Sequence, residues 1–101
     1  MVRHVVLFSF NFPLESREVQ ELNSNFDKLP SLIPEVASYS AGSNMSPENL
    51  EKGYQMCYVL DFNTPEDRDT YLVHPHHKAF VEKAGPVIKD ALVFDYIPGE
   101  L

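Results

Sequence analysis

The chain has 101 residues, 44% of them hydrophobic, with eight Lys and Arg against fifteen Asp and Glu and a formal net charge of -7. That size fits one domain spanning residues 1–101, and the hydrophobic share excludes a disordered chain. The acidic balance lacks the Lys/Arg patch that nucleic-acid binding needs, no apolar run approaches the roughly 18 residues of a membrane span, and the single cysteine excludes an internal disulfide and fits a cytoplasmic setting.

The first run, HVVLFSF from His4 to Phe10, is rich in branched and aromatic residues and predicts a strand. His4, Val6, Phe8 and Phe10 share one face and Val5, Leu7 and Ser9 the other. With both faces largely apolar, the strand calls for cover on two sides. The N-terminal segment lacks the small-residue cleavage pattern of a signal peptide and leads straight into this strand.

From about Glu15 to Leu29, the recurrence of Val19, Leu22, Phe26 and Leu29 at spacings of three and four predicts a helix with one apolar stripe. Pro30 and Pro34 are expected to end it. A strand over Val36–Ala41 follows, its serines suggesting a wetter face. The polar connection Gly42–Gly53 has the composition for a helical turn at Ser46-Pro47. YQMCYVLDF, Tyr54 to Phe62, gives the clearest strand alternation, with Cys57 expected as a buried, inert thiol.

Thr64-Pro65-Glu66-Asp67 has the composition of a helix start: a hydroxyl cap, a proline in the first turn and acids near the exposed amides. His74-Pro75 forces a break near Val73, after which helical geometry is expected to resume to Lys83 with Phe80 and Ala84 inward. Ala91–Pro98 predicts the last strand. The order strand, helix, strand, strand, helix, strand is the ferredoxin-like α+β pattern, a four-stranded antiparallel sheet with both helices on one face. With no further long helix to cover the other face, a second copy packed sheet to sheet is the simplest cover, predicting a homodimer.

DTYLVHPHHKAF, Asp69 to Phe80, holds three of the four histidines. A metal site fits poorly: His74, His76 and His77 do not share one direction on a helix, and neither HExxH nor HxxEH occurs. An acid–base pocket is chemically coherent. Tyr71 and His77 both face the sheet if the break redirects the axis, and His4 enters from the first strand. A neutral imidazole removes a proton alpha to a carbonyl while a phenol polarises the carbonyl oxygen. The same residues also fit a bland role, with His4 capping a strand edge and Tyr71 packing at a rim. Asp61 and Asp95 lie opposite their aromatic neighbours, where paired charges at a subunit seam outweigh catalysis. No phosphate-binding glycine loop, serine-nucleophile motif, or nicotinamide or flavin fingerprint is present.

HVVLFSF, KGYQMCYVLDF, YLVHPHHKAF and LVFDY together resemble the stress-responsive dimeric α/β-barrel domain family, over essentially the whole chain. Y-x-x-H-P-x-H, Tyr71 to His77, is the most specific piece. The resemblance implies a ferredoxin-like subunit whose sheet packs on its twin. It also implies kinship with a plant polyketide cyclase that works by aldol chemistry without metal or organic cofactor. It carries the catalytic base to His77 and the catalytic phenol to Tyr71, with His4 and His74 in support. Phe8, Phe26, Met56 and Phe80 are the expected walls of an aromatic-lined pocket for a small apolar or aromatic carbonyl ligand. Phe26 and Met56 stand where the cyclase has a tyrosine and a histidine, so the polar handles for its substrate are missing. A noncatalytic binding or stress-protective role and a cofactor-free monooxygenase are the alternatives.

Overall fold

The computed structural model describes all residues, Met1–Leu101. Strand β1 (Val2–Phe10) leads to helix α1 (Arg17–Leu32), then β2 (Val36–Ser43), β3 (Met56–Phe62), α2 (Pro65–Val73), α3 (Pro75–Ala84) and β4 (Ile88–Tyr96). The strands form one antiparallel sheet in the order β2-β3-β1-β4, placing β1 beside both β3 and β4. The fold is the expected ferredoxin-like one, and the second helix is split in two at His74.

Local chemistry sets the helix limits. Ser16 caps α1 by accepting the Val19 N–H, and Thr64 caps α2 by accepting the Asp67 N–H, with Pro65 in the first turn. The residue before Pro75 cannot remain helical, so His74 sits in extended geometry between α2 and α3. Two expectations need correction. Helix α1 runs past Pro30 to Leu32: in the last turn the proline forfeits only one intrahelical bond, and buried Leu29 and Ile33 hold that turn through the Ile33 N–H to Leu29 carbonyl bond. No helix forms at Ser46-Pro47. Asn49 and Lys52 take positive φ angles of 58°, which a continuing right-handed helix excludes.

All three helices lie on one face of the sheet, and the core forms between. Val6, Phe8 and Phe10 from β1 and Tyr58, Leu60 and Phe62 from β3 meet Val19, Leu22, Phe26 and Leu29 from α1, with Tyr71, Phe80 and Ala84 closing the far end. Phe26 is the hub. Its ring stacks on Tyr58 with centroids 4.2 Å apart and meets Phe80 edge-on at 5.0 Å. The Tyr58 hydroxyl, deep in this cluster, donates to the Asn23 side chain.

The opposite sheet face has no helix over it. Paired residues on that face include Val5 with Phe94, Leu7 with Leu92 and Cys57, and Arg3 with Tyr96 and Asp61. Leu92, Phe94 and Tyr96 are 41, 61 and 40% exposed there. Cys57 belongs to this face and is half-buried, not a core thiol as the alternation of its neighbours suggested, and burial pushes its thiol up from the ordinary range. No helix is long and apolar enough to cross a membrane.

Phe26→Ala removes the ring around which Phe8, Tyr58 and Phe80 are arranged and is expected to cost about 3–5 kcal/mol in urea unfolding. Val73→Ala, at a 64% exposed position, is expected to stay within about 0.5 kcal/mol of the parent chain.

Candidate acid–base site

The site forms where α2 gives way to α3 against the end of β1. His4, on β1, is 4% exposed, and Tyr71, in the last turn of α2, is 1% exposed. The break at His74 turns the chain so that His77, in the first turns of α3, comes back over Tyr71. The rings line up in series: His4 to Tyr71 centroids are 5.9 Å apart and Tyr71 to His77 4.5 Å, with Phe62 flanking Tyr71 at 5.1 Å. The structure thus brings together three residues that are distant or differently oriented in the sequence.

Each imidazole has one nitrogen committed. His77 Nδ1 lies 3.1 Å from the Leu72 carbonyl oxygen; a carbonyl only accepts, so Nδ1 carries the proton and Nε2 keeps its lone pair when the ring is neutral. Burial holds the His77 imidazole below its usual range, partly offset by the Leu72 carbonyl and reinforced by the nearby His4. His4 Nδ1 donates to Asp95 Oδ1 at 2.6 Å. Tyr71 differs in kind: burial alone pushes its phenol well above the ordinary value, with no charged or hydrogen-bonding neighbour contributing. At neutral pH the site therefore offers a protonated phenol beside a neutral imidazole with a free lone pair.

His74 does not join this group. Its Nδ1 accepts the His76 N–H as the cap of α3, and its ring stacks on His76 at 5.3 Å. It fixes the backbone that presents His77 and has no ring contact with Tyr71 or His4. His4 is no edge cap either, because β1 has a neighbour on each side. Phe8, Phe26 and Phe80 are buried and Met56 half-buried as part of the core, where the aromatic rings pack against one another and fill the space expected as a pocket. Two surface depressions lie elsewhere. One of about 190 Å³ runs between α1 and α3 past Glu21, Phe80 and Lys83; the other, about 460 Å³, lies on the open sheet face by Arg3, Asp61 and Tyr96. Neither is lined by His4, Tyr71 or His77. No three His, Cys, Asp or Glu side chains converge to hold a metal ion.

Asp95 and Arg68 are the residues that sequence reasoning misses. Alternation puts Asp95 on the correct strand face, opposite Phe94 and Tyr96, yet suggests only a seam charge. The deciding fact is that β4 lies beside β1 with Asp95 directly across from His4. Alternation gives the face of a residue but not which strand is its neighbour. Asp61, by contrast, is on the open face, bound to Arg3 at 2.9 Å and to Ser38 at 2.9 Å.

Comparison with known proteins places the chain in a family and supports its fold. Residues 2–98 match the family described as Stress responsive A/B Barrel Domain. The chain is 31% identical over 97 residues to the stress-response A/B barrel domain-containing protein HS1 of Arabidopsis thaliana, covering 96% of this chain and 89% of that one. It is 25% identical over 97 residues to olivetolic acid cyclase of Cannabis sativa, covering 96% of each. Among solved structures, a dimeric ferredoxin-like protein of unknown function from Thermobifida fusca superposes with a TM-score of 0.79 at 25% identity, covering 94% of this chain and 88% of that one. On these matches, which span nearly all of the sequence, the chain belongs to the stress-responsive A/B barrel domain family.

Proposed function

We propose that this protein performs cofactor-free acid–base chemistry on a small carbonyl compound, with His77 Nε2 taking a proton alpha to the carbonyl and the Tyr71 hydroxyl donating to the carbonyl oxygen. The observation that carries this reading is the contiguous series of rings itself. A phenol held protonated by burial lies against an imidazole whose tautomer is set by the Leu72 carbonyl. A base must be neutral to accept a proton, and the low-lying His77 imidazole is neutral at physiological pH. The phenol supplies a hydrogen bond where negative charge develops on the enolate oxygen, in surroundings dry enough to strengthen it. His4 packs edge-on against Tyr71 and fixes that ring's position. The kinship with olivetolic acid cyclase supports a cyclisation or isomerisation of a polyketide-like compound. Phe26 and Met56 supply no hydrogen bonds, which favours a less oxygenated, more apolar substrate than one recognised by polar handles.

A noncatalytic role in binding or stress protection is the second reading. Its support is the filled interior: Phe8, Phe26, Tyr58 and Phe80 occupy the volume between α1 and the sheet, and HS1 is the more similar of the two relatives. A monooxygenase-like reaction with oxygen gains no specific support from the site.

The protein acts as a homodimer in this proposal, with the open sheet faces packed together in a cytoplasmic setting. Leu92, Phe94 and Tyr96 sit with Val5, Leu7 and Val59 on one uncovered apolar surface, larger than isolated exposed residues would give. The Arg3–Asp61 pair in that surface gives the two sheets a polar registration point.

Exchange of the α-protons of a β-keto ester for deuterium, followed by NMR, measures the proton transfer itself, whatever the natural substrate. The parent chain is expected to accelerate exchange, and His77→Ala to lower the rate by about 10²–10⁴-fold with an unchanged circular dichroism spectrum. Equal rates in the two proteins would overturn the acid–base reading in favour of binding. The rate is expected to fall as pH drops, because protonation removes the base. That acid limb should be centred below the ordinary imidazole range, with a plateau at neutrality. In light scattering at micromolar concentration the parent chain is expected at twice its monomer mass and Phe94→Glu at the monomer mass; a parent chain at monomer mass would rule out the sheet-to-sheet dimer.

A further inference from the structure

The open sheet face is built in rows. Strand register sets Ser40, Val59, Val5 and Phe94 side by side across β2, β3, β1 and β4. The row above holds Gly42, Cys57, Leu7 and Leu92, and the row below Ser38, Asp61, Arg3 and Tyr96. In each row the residue on β2 is the smallest, and none is larger than the one on β4. The face is therefore low along β2 and high along β4, and the depression of about 460 Å³ takes in Ser38, Ser40, Val59 and Asp61 on the low side. The bottom row also carries opposite charges on its two inner strands, Asp61 on β3 and Arg3 on β1.

We propose that two sheets pack about a two-fold axis running along the strands, so that β4 of each subunit lies over β2 of the other. Phe94 then fills the depression beside the partner's Ser40, and Arg3 faces the partner's Asp61. This arrangement rests on the homodimer reading and fixes how the two copies meet.

Symmetry leaves two ways to lay this face on its own copy with the strands aligned. An axis across the strands puts β4 on β4 and β2 on β2. Leu92, Phe94 and Tyr96 then collide with the same high ridge, while Ser38, Ser40 and Gly42 face one another over a gap. Close packing tolerates neither. An axis along the strands brings rows of equal height together in reverse order. Phe94 meets the partner's Ser40, Leu92 the partner's Gly42 and Val5 the partner's Val59, large against small on both sides and equal in the middle.

Charge selects the same arrangement. Within one subunit Arg3 donates from Nε and Nη2 to Asp61 at 2.9 and 3.1 Å, and Asp61 also accepts from Ser38. Packing the sheets removes water from one side of this pair, and charges taken out of water need partners there. With the axis along the strands, the partner's pair arrives reversed, and the four groups alternate in sign about the axis. With the axis across them, Arg3 meets either its own copy or the apolar Val5 and Leu7 of the same strand.

The test uses the parent chain. In an equimolar mixture of isotope-labelled and unlabelled subunits, isotope-filtered NMR reads only contacts between copies. Contacts are expected from the Phe94 ring to Ser40 and from the Val5 methyls to Val59. Phe94 and Ser40 of one subunit lie three strand spacings apart, about 14 Å, so their contact cannot arise within a chain. Contacts of Phe94 with Phe94 and of Val5 with Val5 overturn the arrangement and leave the sheet-to-sheet dimer standing. Contacts confined to the helices, or a monomer in light scattering, overturn both. Arg3→Asp and Asp61→Arg are each expected to lose the dimer at micromolar concentration, and an equimolar mixture of the two to regain it, because opposite charges then meet only across the interface. Variants that stay dimeric alone, or a mixture that stays monomeric, overturn the Arg3–Asp61 contact. Should either variant fail to fold, the contacts in the parent decide.

Discussion

The two-residue period of β1 is the constraint on which the rest of the structure depends. Residues of even number on this strand, His4, Val6, Phe8 and Phe10, must all face the helices, and the odd ones, Arg3, Val5 and Leu7, must all face away. One nine-residue strand flanked on both sides therefore supplies a site histidine, two rings of the aromatic core and the middle of the uncovered surface. A slip of one residue in its pairing would move His4 onto the open face beside Phe94 and remove it from Tyr71 altogether. The register is thus as much a part of the site as the side chains are.

The core and the site divide the interior between them. Around Phe26 the rings of Phe8, Tyr58 and Phe80 pack at stacking and edge-on distances and leave the polar demand of the Tyr58 hydroxyl to Asn23. At the other end, against Phe62, the same kind of ring packing includes two imidazoles and a phenol, and the polar demand of the imidazoles is met by Asp95 and the Leu72 carbonyl. The difference is one of hydrogen-bonding partners, not of burial. Phe26 and Met56 belong to the apolar end, away from the Tyr71–His77 pair.

Much of this was legible from spacing. Threes and fours between Val19 and Leu29 gave the face of α1, alternation from Met56 to Phe62 gave the face of β3, and Thr64-Pro65 marked the start of α2 to the residue. The ends of elements were less legible, as at Pro30, because burial of Leu29 and Ile33 outweighed a local preference that reads only neighbours in sequence. The grouping of Tyr71, His77 and His4 was conditional on the break at Pro75 redirecting the axis, with the family resemblance pointing to the same residues, since the angle between α2 and α3 is not encoded in any periodicity. His74 misled for the same reason. Directly before a proline it is held extended, and there its imidazole serves the end of a helix better than a pocket. The ion pair between Arg68 and Asp95 required the strand order, which no single element reveals.

The near-complete burial of Tyr71 has a kinetic side. Only 1% of the residue reaches solvent, and the ring pressed against it, His77, is itself half-buried at the start of a short helix. The longest connection in the chain, between β2 and β3, joins strands at the far edge of the sheet from β4 and is not poised over this end. Under the proposed function, a ligand that reaches Tyr71 has to displace the His77 ring lying against it. Rotamer changes of accessible side chains run on picosecond to nanosecond scales, faster than the lid movements that limit many enzymes. In that proposal the ring to be displaced and the base are the same residue, which ties the size of what can pass to the position of His77.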